Sequence, residues 1–292
     1  MHVVSYNIQY GVGKDGAVDL ARIAGEIGAA DVIALQEVER YFEATGMVDQ
    51  AAELAALFPH HHWIYGPGVD QDASTTYDDG TVFNRRRQFG NMLLARTPII
   101  SSRNHLLPKF GMVGPLALQR TALEGIIDTE AGPIRFYSVH LGHAAAPERR
   151  LQIARLMEIV RSSPAQGGVW SGDHAGKHWT SSGPTPPMPA SAVLLGDFNL
   201  TPDDDEYQML VGEINRKYGR LTPLDGLVDC WIAAGNDPNG GITDPTGADG
   251  FRIDYALATT DLIPRLSSML VDSNAVGSDH QPIHLKFDLA LA

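Results

Sequence analysis

A chain of 292 residues with 43% hydrophobic and 20% charged residues has the composition of an ordinary globular protein, which excludes disorder as its default state. Its 22 Lys plus Arg against 35 Asp plus Glu give a net charge of −13 at pH 7, which disfavours non-specific binding to a polyanion such as duplex DNA. Met1 is followed at once by His2-Val3-Val4 with no secretory leader pattern, and no apolar run is long enough to span a bilayer, so a cytoplasmic protein without a transmembrane segment is expected.

In chain order, residues 2–7 read as a first strand ending in the amide of Asn7. The glycine-rich stretch 11–16 lacks the spacing of a phosphate loop and serves to turn the chain. Asp19 reads as the N-cap of a helix with Leu20, Ile23, Ala24 and Ile27 on one face. Residues 31–37 form a second apolar strand, which ends in Glu37. A helix over 49–57 and a strand over 63–65 follow, with His60-His61-His62 read as a strand entrance rather than a metal tract, because neighbouring strand residues face opposite sides. The weakly periodic stretch 70–84 reads as a surface loop, closed by Arg85-Arg86-Arg87 before the strand 91–95. Three adjacent arginines form a solvated face, or, beside a phosphate site, draw an anion inward.

A strand over 99–102 and an apolar loop over 106–118 lead to an antiparallel pair, 121–127 and 134–141, the second of which carries His140. Pro147 opens a helix to residue 162 with Leu151, Ala154 and Ile159 in its apolar stripe. The irregular stretch 166–190 contains Asp173, His174 and His178, a conceivable metal trio, but its Gly, Ser and Pro content favours an exposed insertion. Val193-Leu194-Leu195-Gly196-Asp197-Phe198-Asn199 has the pattern of a central strand covered on both faces. It ends by presenting Asp197 and Asn199 to one side and Phe198 to the other, an arrangement that either caps a turn or aims polar groups at one spot. A helix over 205–216, a short helix or turn over 228–234, and strands over 251–257, 262–271 and 283–287 complete the chain. Cys230, the single cysteine, forms no internal disulfide and is expected in the core.

Several strands thus end in, or carry, an amide, a carboxylate or an imidazole. The pieces Ser5-Tyr6-Asn7, Leu35-Gln36-Glu37, Val139-His140, Gly196-Asp197-Phe198-Asn199, Arg252-Ile253-Asp254-Tyr255 and Ser278-Asp279-His280, in this order, strongly resemble the endonuclease/exonuclease/phosphatase superfamily, which shares its fold with pancreatic deoxyribonuclease. They run from the first strand to the last. The resemblance implies one α/β (α+β) domain over 1–292, a four-layered α/β/β/α sandwich of two mixed sheets packed face to face with helices outside. It implies hydrolysis of phosphoester bonds with magnesium, or manganese in its place.

By position in those motifs, Glu37 would be the principal metal ligand, with Asn7 beside it and Asp279 contributing, a set of hard oxygens suited to magnesium. His280 would be the general base or contact the phosphate, and Asp254 would hold its other nitrogen. Asp197 would align or deprotonate the attacking water, while Asn199 and His140 donate to non-bridging oxygens. Gln9 stands where some repair endonucleases of the family carry an acid, which argues against their two-carboxylate metal site. Arg120 and Arg85 lie outside the shared motifs and are candidate substrate contacts.

The acidic balance favours a phosphodiesterase or phosphatase acting on a small or lipid-like substrate. A DNA or RNA nuclease of the same chemistry is the alternative, and it needs a local basic groove. A binding module on a chemically dead fold is disfavoured, because every polar motif position is filled by a competent residue. Selectivity is expected in the irregular stretches 66–90, 103–119 and 163–190, and the sequence assigns no oligomeric state.

Overall fold

The computed structural model describes residues 1–172, 183–246 and 250–290. Asp173, His174 and His178 therefore lie outside the described residues.

The apolar runs pair into two six-stranded mixed sheets. Across the first, the strands stand in the order Leu266–Val271, Ile283–Phe287, His2–Asn7, Val32–Arg40, Arg86–Ala95 and His62–Asp72. Across the second, the order is Leu227–Asp229, Asp254–Thr259, Ala192–Asp197, Ile134–His140, Thr121–Ile127 and Ile99–Leu106. Each sheet has one parallel pair, at its centre: His2–Asn7 with Val32–Arg40, and Ala192–Asp197 with Ile134–His140.

Side-chain alternation divides each central strand between two cores. Val3, Val32, Ala34 and Leu93 from the first sheet meet Phe136, Val193, Leu195 and Ala256 from the second in the space between the sheets. The neighbouring residues Val4, Ile33 and Leu35 turn outward against the helices Leu20–Ile27 and Gln50–Leu57. On the other side, Tyr137, Leu194 and Leu257 turn outward against Ala146–Gln166 and Asp205–Val211. The result is the four-layered sandwich expected. Burying a single Leu or Val side chain stabilises by about 1.5–3 kcal/mol, so continuous apolar strands are what hold both layers of packing at once. Asp19 and Asp49 cap the first two helices by accepting the backbone N–H of Arg22 and Ala52 at 2.9 and 3.1 Å. Cys230 is buried, as expected.

Four local expectations are corrected. The stretch 70–84 is only partly a loop. His62–Asp72 continues in register against Arg86–Ala95, with Asp72 opposite Arg86, and only its tip is a separate small hairpin of Thr75–Thr76 and Val82–Phe83. This is an edge strand held by backbone pairing and by an Arg86–Asp70 ion pair of 2.8 Å, so it needs no apolar alternation. The helix expected to reach residue 216 stops at Val211, because Gly212 turns at φ 92° into a hairpin and a Cβ there would lie 2.1 Å from the Leu221 carbonyl oxygen. The strand expected from 251 begins at Asp254. On helix Ala146–Gln166, Leu151 and Ala154 face solvent, while Ile153, Leu156, Met157 and Val160 pack on the sheet with Ile159.

Candidate active site

Strand register brings the polar strand ends to one rim. Asp197 stands opposite His140 on one side and Asp254 on the other, and His140 in turn stands opposite Thr121. In the facing sheet Asn7 stands opposite Gln36. Buried polar groups pin the sheets together beneath this rim. Gln36 Nε2 donates to Ser138 Oγ at 2.9 Å, and Asn91 Nδ2 donates to the carbonyls of Thr121 and Ser138 at 3.0 and 2.8 Å. The rim encloses a cavity of about 430 Å³.

Its polar wall is built at strained backbone positions. The pairing of Val32–Arg40 with its neighbour is interrupted between Leu35 and Val38, and there Glu37 takes a left-handed φ of 61° that carries its side chain into the cavity. Tyr10 and Asn199, which also line the cavity, have φ of 46° and 51°. Such conformations cost about 1–3 kcal/mol each and persist where the surrounding structure enforces them.

Asp197 is the hub. Its Oδ1 accepts the backbone N–H of Asn199 at 2.9 Å, and its Oδ2 accepts Asn7 Nδ2 at 3.0 Å and lies 3.3 Å from His140 Nε2 and 3.8 Å from His280 Nε2. Burial opposes its charge, but His140, His280 and the Asn199 N–H outweigh it and hold the carboxyl below the usual range. His280 Nδ1 binds Asp254 Oδ2 at 2.7 Å. Burial disfavours an imidazolium there, yet Asp254, with Asp197 and Asp279 behind it, raises His280 well above its ordinary 6.5. Asn199 Nδ2 donates to the Leu141 carbonyl at 3.1 Å.

Arg120 determines the state of His140. A guanidinium only donates, and Arg120 Nη1 and Nη2 lie 3.0 and 3.1 Å from Nδ1 of His140 and of His143. Both rings must therefore present a lone pair at Nδ1 and carry hydrogen at Nε2, which aims the His140 N–H at Asp197. Burial, then Arg120, pushes His140 down to about 4, so it is a neutral donor at physiological pH. Arg120 is thus in the cavity wall, with both Nη groups directed at histidines. Arg85 is not brought to the cavity: its guanidinium stacks on the rings of Tyr41 and Phe83, at 4.9 and 5.0 Å.

The Glu37 side chain is 19% exposed, with His140 Nε2 4.0 Å away, and burial pushes its carboxyl up from its ordinary 4.5 to about 7. A carboxylate so poorly compensated fits a cation. Asp279 is close enough to raise Glu37 further by its charge. Asn7 has given its Nδ2 to Asp197, which leaves Oδ1, already accepting the Gln9 N–H at 3.1 Å, as its ligating atom. Among the described residues no three Asp, Glu, His or Cys side chains converge as a ready cage. The Glu37 carboxylate and Asn7 Oδ1 are hard oxygen donors, of the kind a divalent cation that keeps several of its waters takes.

His143 and Glu39 line the same cavity and were not singled out from the sequence. The signals were faint: His143 follows His140 by three residues, and Glu39 is two beyond Glu37, hence on its side of a strand. The cavity's remaining lining includes Phe42, Val69, Phe89, Leu116 and Leu118.

The family model described as "Endonuclease/Exonuclease/phosphatase family" matches residues 4–280. Among solved structures, an endonuclease/exonuclease/phosphatase from Beutenbergia cavernae superposes with a TM-score of 0.68 at 22% identity, over 98% of this chain and 70% of that one. A mannosyl-6-phosphatase from Bacteroides thetaiotaomicron superposes at 0.63 with 17% identity, over 99% of both chains. A 3′ phosphatase from Neisseria bound to a product DNA hairpin superposes at 0.58 with 18% identity, also over 99% of both. At these identities the likeness carries the fold alone. No curated protein matches this chain in sequence.

Proposed function

This chain belongs to the endonuclease/exonuclease/phosphatase family, whose members act on phosphoesters, and from that premise we propose that it is a divalent-cation-dependent phosphodiesterase or phosphatase for a small or lipid-like substrate. The observation that carries the reading is the Asp197 carboxylate, kept ionised by Asn7, His140 and the Asn199 N–H and set beside the His280–Asp254 pair. Magnesium or manganese, held by Glu37 with Asn7 and Asp279, would supply Lewis-acid polarisation of a phosphate oxygen.

The chain's own groups divide the remaining work. Asp197 is too weak a base to take a proton early, and it orients the attacking water through its free acceptor capacity. His280, kept cationic by Asp254, presents Nε2–H to a phosphoryl oxygen, where charge grows as the water attacks. Asn199 offers a neutral N–H donor to the same group, while the one N–H of His140 stays on Asp197. Arg120 holds His140 in the tautomer that keeps it there. As the entering water bonds to phosphorus its proton passes late to Asp197, and the phosphorus–oxygen bond in line with it breaks, the departing alkoxide taking a proton from solvent, to which Asp197 returns its own.

A nucleic-acid substrate is disfavoured by the net charge of −13 and by a cavity lining that contains one arginine, Arg120, already facing two histidines. A panel of phosphomonoesters and phosphodiesters, assayed with magnesium, manganese or excess chelator, tests the reading. Hydrolysis that needs the cation supports it. Undiminished hydrolysis in chelator refutes the cation, and salt-sensitive cleavage of duplex DNA in preference to small esters refutes the substrate class.

A further inference from the structure

The polar and apolar linings of the cavity come from different parts of the sandwich. The carboxylates and imidazoles belong to the central strands, to the connection after Ile134–His140 that carries His143, or, like His280, to the turn before the strand Ile283–Phe287 that pairs with the first strand. Val69 and Phe89 belong to the two strands at one edge of the first sheet, and Phe42 follows the strand beside them. Leu116 and Leu118 come from the connection between the two strands at the matching edge of the second sheet, ahead of Thr121. The cavity is therefore two-sided, with the phosphate chemistry at the middle of the sheets and, toward one edge, a wall that is apolar apart from Gln71. Its volume of about 430 Å³ is that of a site for a whole small ligand, more than a phosphoryl group alone requires.

One carboxylate faces the apolar side, that of Glu39, which stands opposite Phe89 in the strand pairing. Glu39 lines the cavity, with Oε2 accepting the Thr45 hydroxyl at 2.9 Å. The arginines on this side are engaged elsewhere: Arg40 at the end of its strand with Asp49, and Arg86 and Arg87 of the neighbouring strand with Asp70 and with the Tyr41 carbonyl. Leu116 is 67% exposed at the mouth, so its side chain is available to a ligand without rearrangement of the core.

Resting on the phosphoester reading above, we propose that this wall is a subsite for the alcohol portion of the substrate, and that the alcohol is apolar and carries no second phosphate. Phe42, Val69, Phe89, Leu116 and Leu118 bury the alkyl or aryl group while the central strands hold the phosphate. Glu39 repels a further anionic group and accepts from a hydroxyl or amine on the alcohol.

Primary alkyl phosphates separate this from the reading beneath it, because ethyl and octyl esters have leaving groups of nearly equal chemistry and differ in apolar surface. Ethyl, octyl and 8-phospho-octyl phosphates, each as the monoester and as its methyl diester, are assayed by release of the alcohol with magnesium or manganese. Octyl should exceed ethyl in kcat/KM by more than about 10-fold, the low end of what even one methylene seated in an apolar pocket gives, and the 8-phospho ester should fall well below octyl. Phe42→Ala and Leu116→Asp should each lower the octyl-to-ethyl ratio, and Glu39→Gln should raise the 8-phospho ester relative to octyl. Equal rates for ethyl and octyl, or ratios unmoved by these variants, refute the subsite and leave the phosphoesterase standing. Calorimetry with ethylphosphonate and octylphosphonate reads the wall without turnover. Preference for octylphosphonate without hydrolysis of any ester supports the subsite and refutes the reaction, whereas no preference refutes the subsite.

Discussion

Replacing Glu37 by glutamine should make the cation-free protein more stable above neutral pH, even though it removes the proposed ligand. In the fold burial raises this carboxyl from its ordinary 4.5 to about 7. Below pH 4.5 both folded and unfolded chains hold the proton, and the group has no effect on stability. Between pH 4.5 and about 7 the unfolded chain releases the proton while the folded chain keeps it, so stability falls as pH rises. Above about 7 both are ionised and the loss is complete. At 1.36 kcal/mol for each pH unit, this difference amounts to about 3 kcal/mol. Glutamine keeps the shape and has no charge to bury, so Glu37→Gln should recover up to that amount at pH 8, roughly 5–10 °C in Tm for a chain of this size. The assay is thermal and urea unfolding of wild type and variant in chelator from pH 5 to 8, read as the difference between them, so that titration of groups distant from Glu37 cancels. Magnesium should then stabilise the wild type and leave the variant where it was. A variant no more stable than wild type at pH 8, with the same pH dependence, would refute the argument that Glu37 is a buried charge awaiting a cation.

Three further outcomes are expected. His280→Ala should lower turnover by roughly 10² to 10⁴, Asp254→Asn should reproduce part of that loss, and the double variant should lose far less than the product of the two. Turnover per folded molecule decides this, multiplicative losses being the contrary result. Arg120→Met should lower turnover by about 10- to 100-fold, the usual effect of losing a partner that orients a functional group. It should also let the His140 pKa climb from about 4, so that at saturating magnesium, where Glu37 is held ionised, the acidic limb of the kcat/KM profile lies at higher pH in the variant than in the wild type. An unchanged profile would make Arg120 a packing residue only. Leu195→Ala, in the core between the sheets, should cost about 2–5 kcal/mol in urea unfolding, and retained turnover per folded molecule would show that the loss lies in the packing.

The sequence by itself determined which segments become central strands and which polar groups end them. His2–Asn7 and Ile283–Phe287 have the expected bounds, and Ala192–Asp197 delivers Asp197 to the rim, because apolar side chains on both faces of a strand are a local pattern with one low-energy outcome. The order of the motifs along the chain also carried the family and the sandwich. The edge was illegible by the same reasoning: His62–Asp72 extends through polar residues that only a neighbouring backbone, far away in sequence, pairs into a strand. The phase of helix Ala146–Gln166 depended on which face met the sheet, so Leu151 fell outside the stripe it was expected to join.

Tertiary structure alone decided the character of the site. Only the break in pairing after Leu35 turns Glu37 into the cavity, and only the approach of Arg120 to His140 and His143 sets two tautomers. The apolar wall exists because the edge strands of one sheet and a loop of the other end at the same side of the sandwich. None of these has a local signature. Burial, tautomer and charge depend on what long-range pairing sets within a few ångströms, and a strand's own residues specify its faces but not its neighbours.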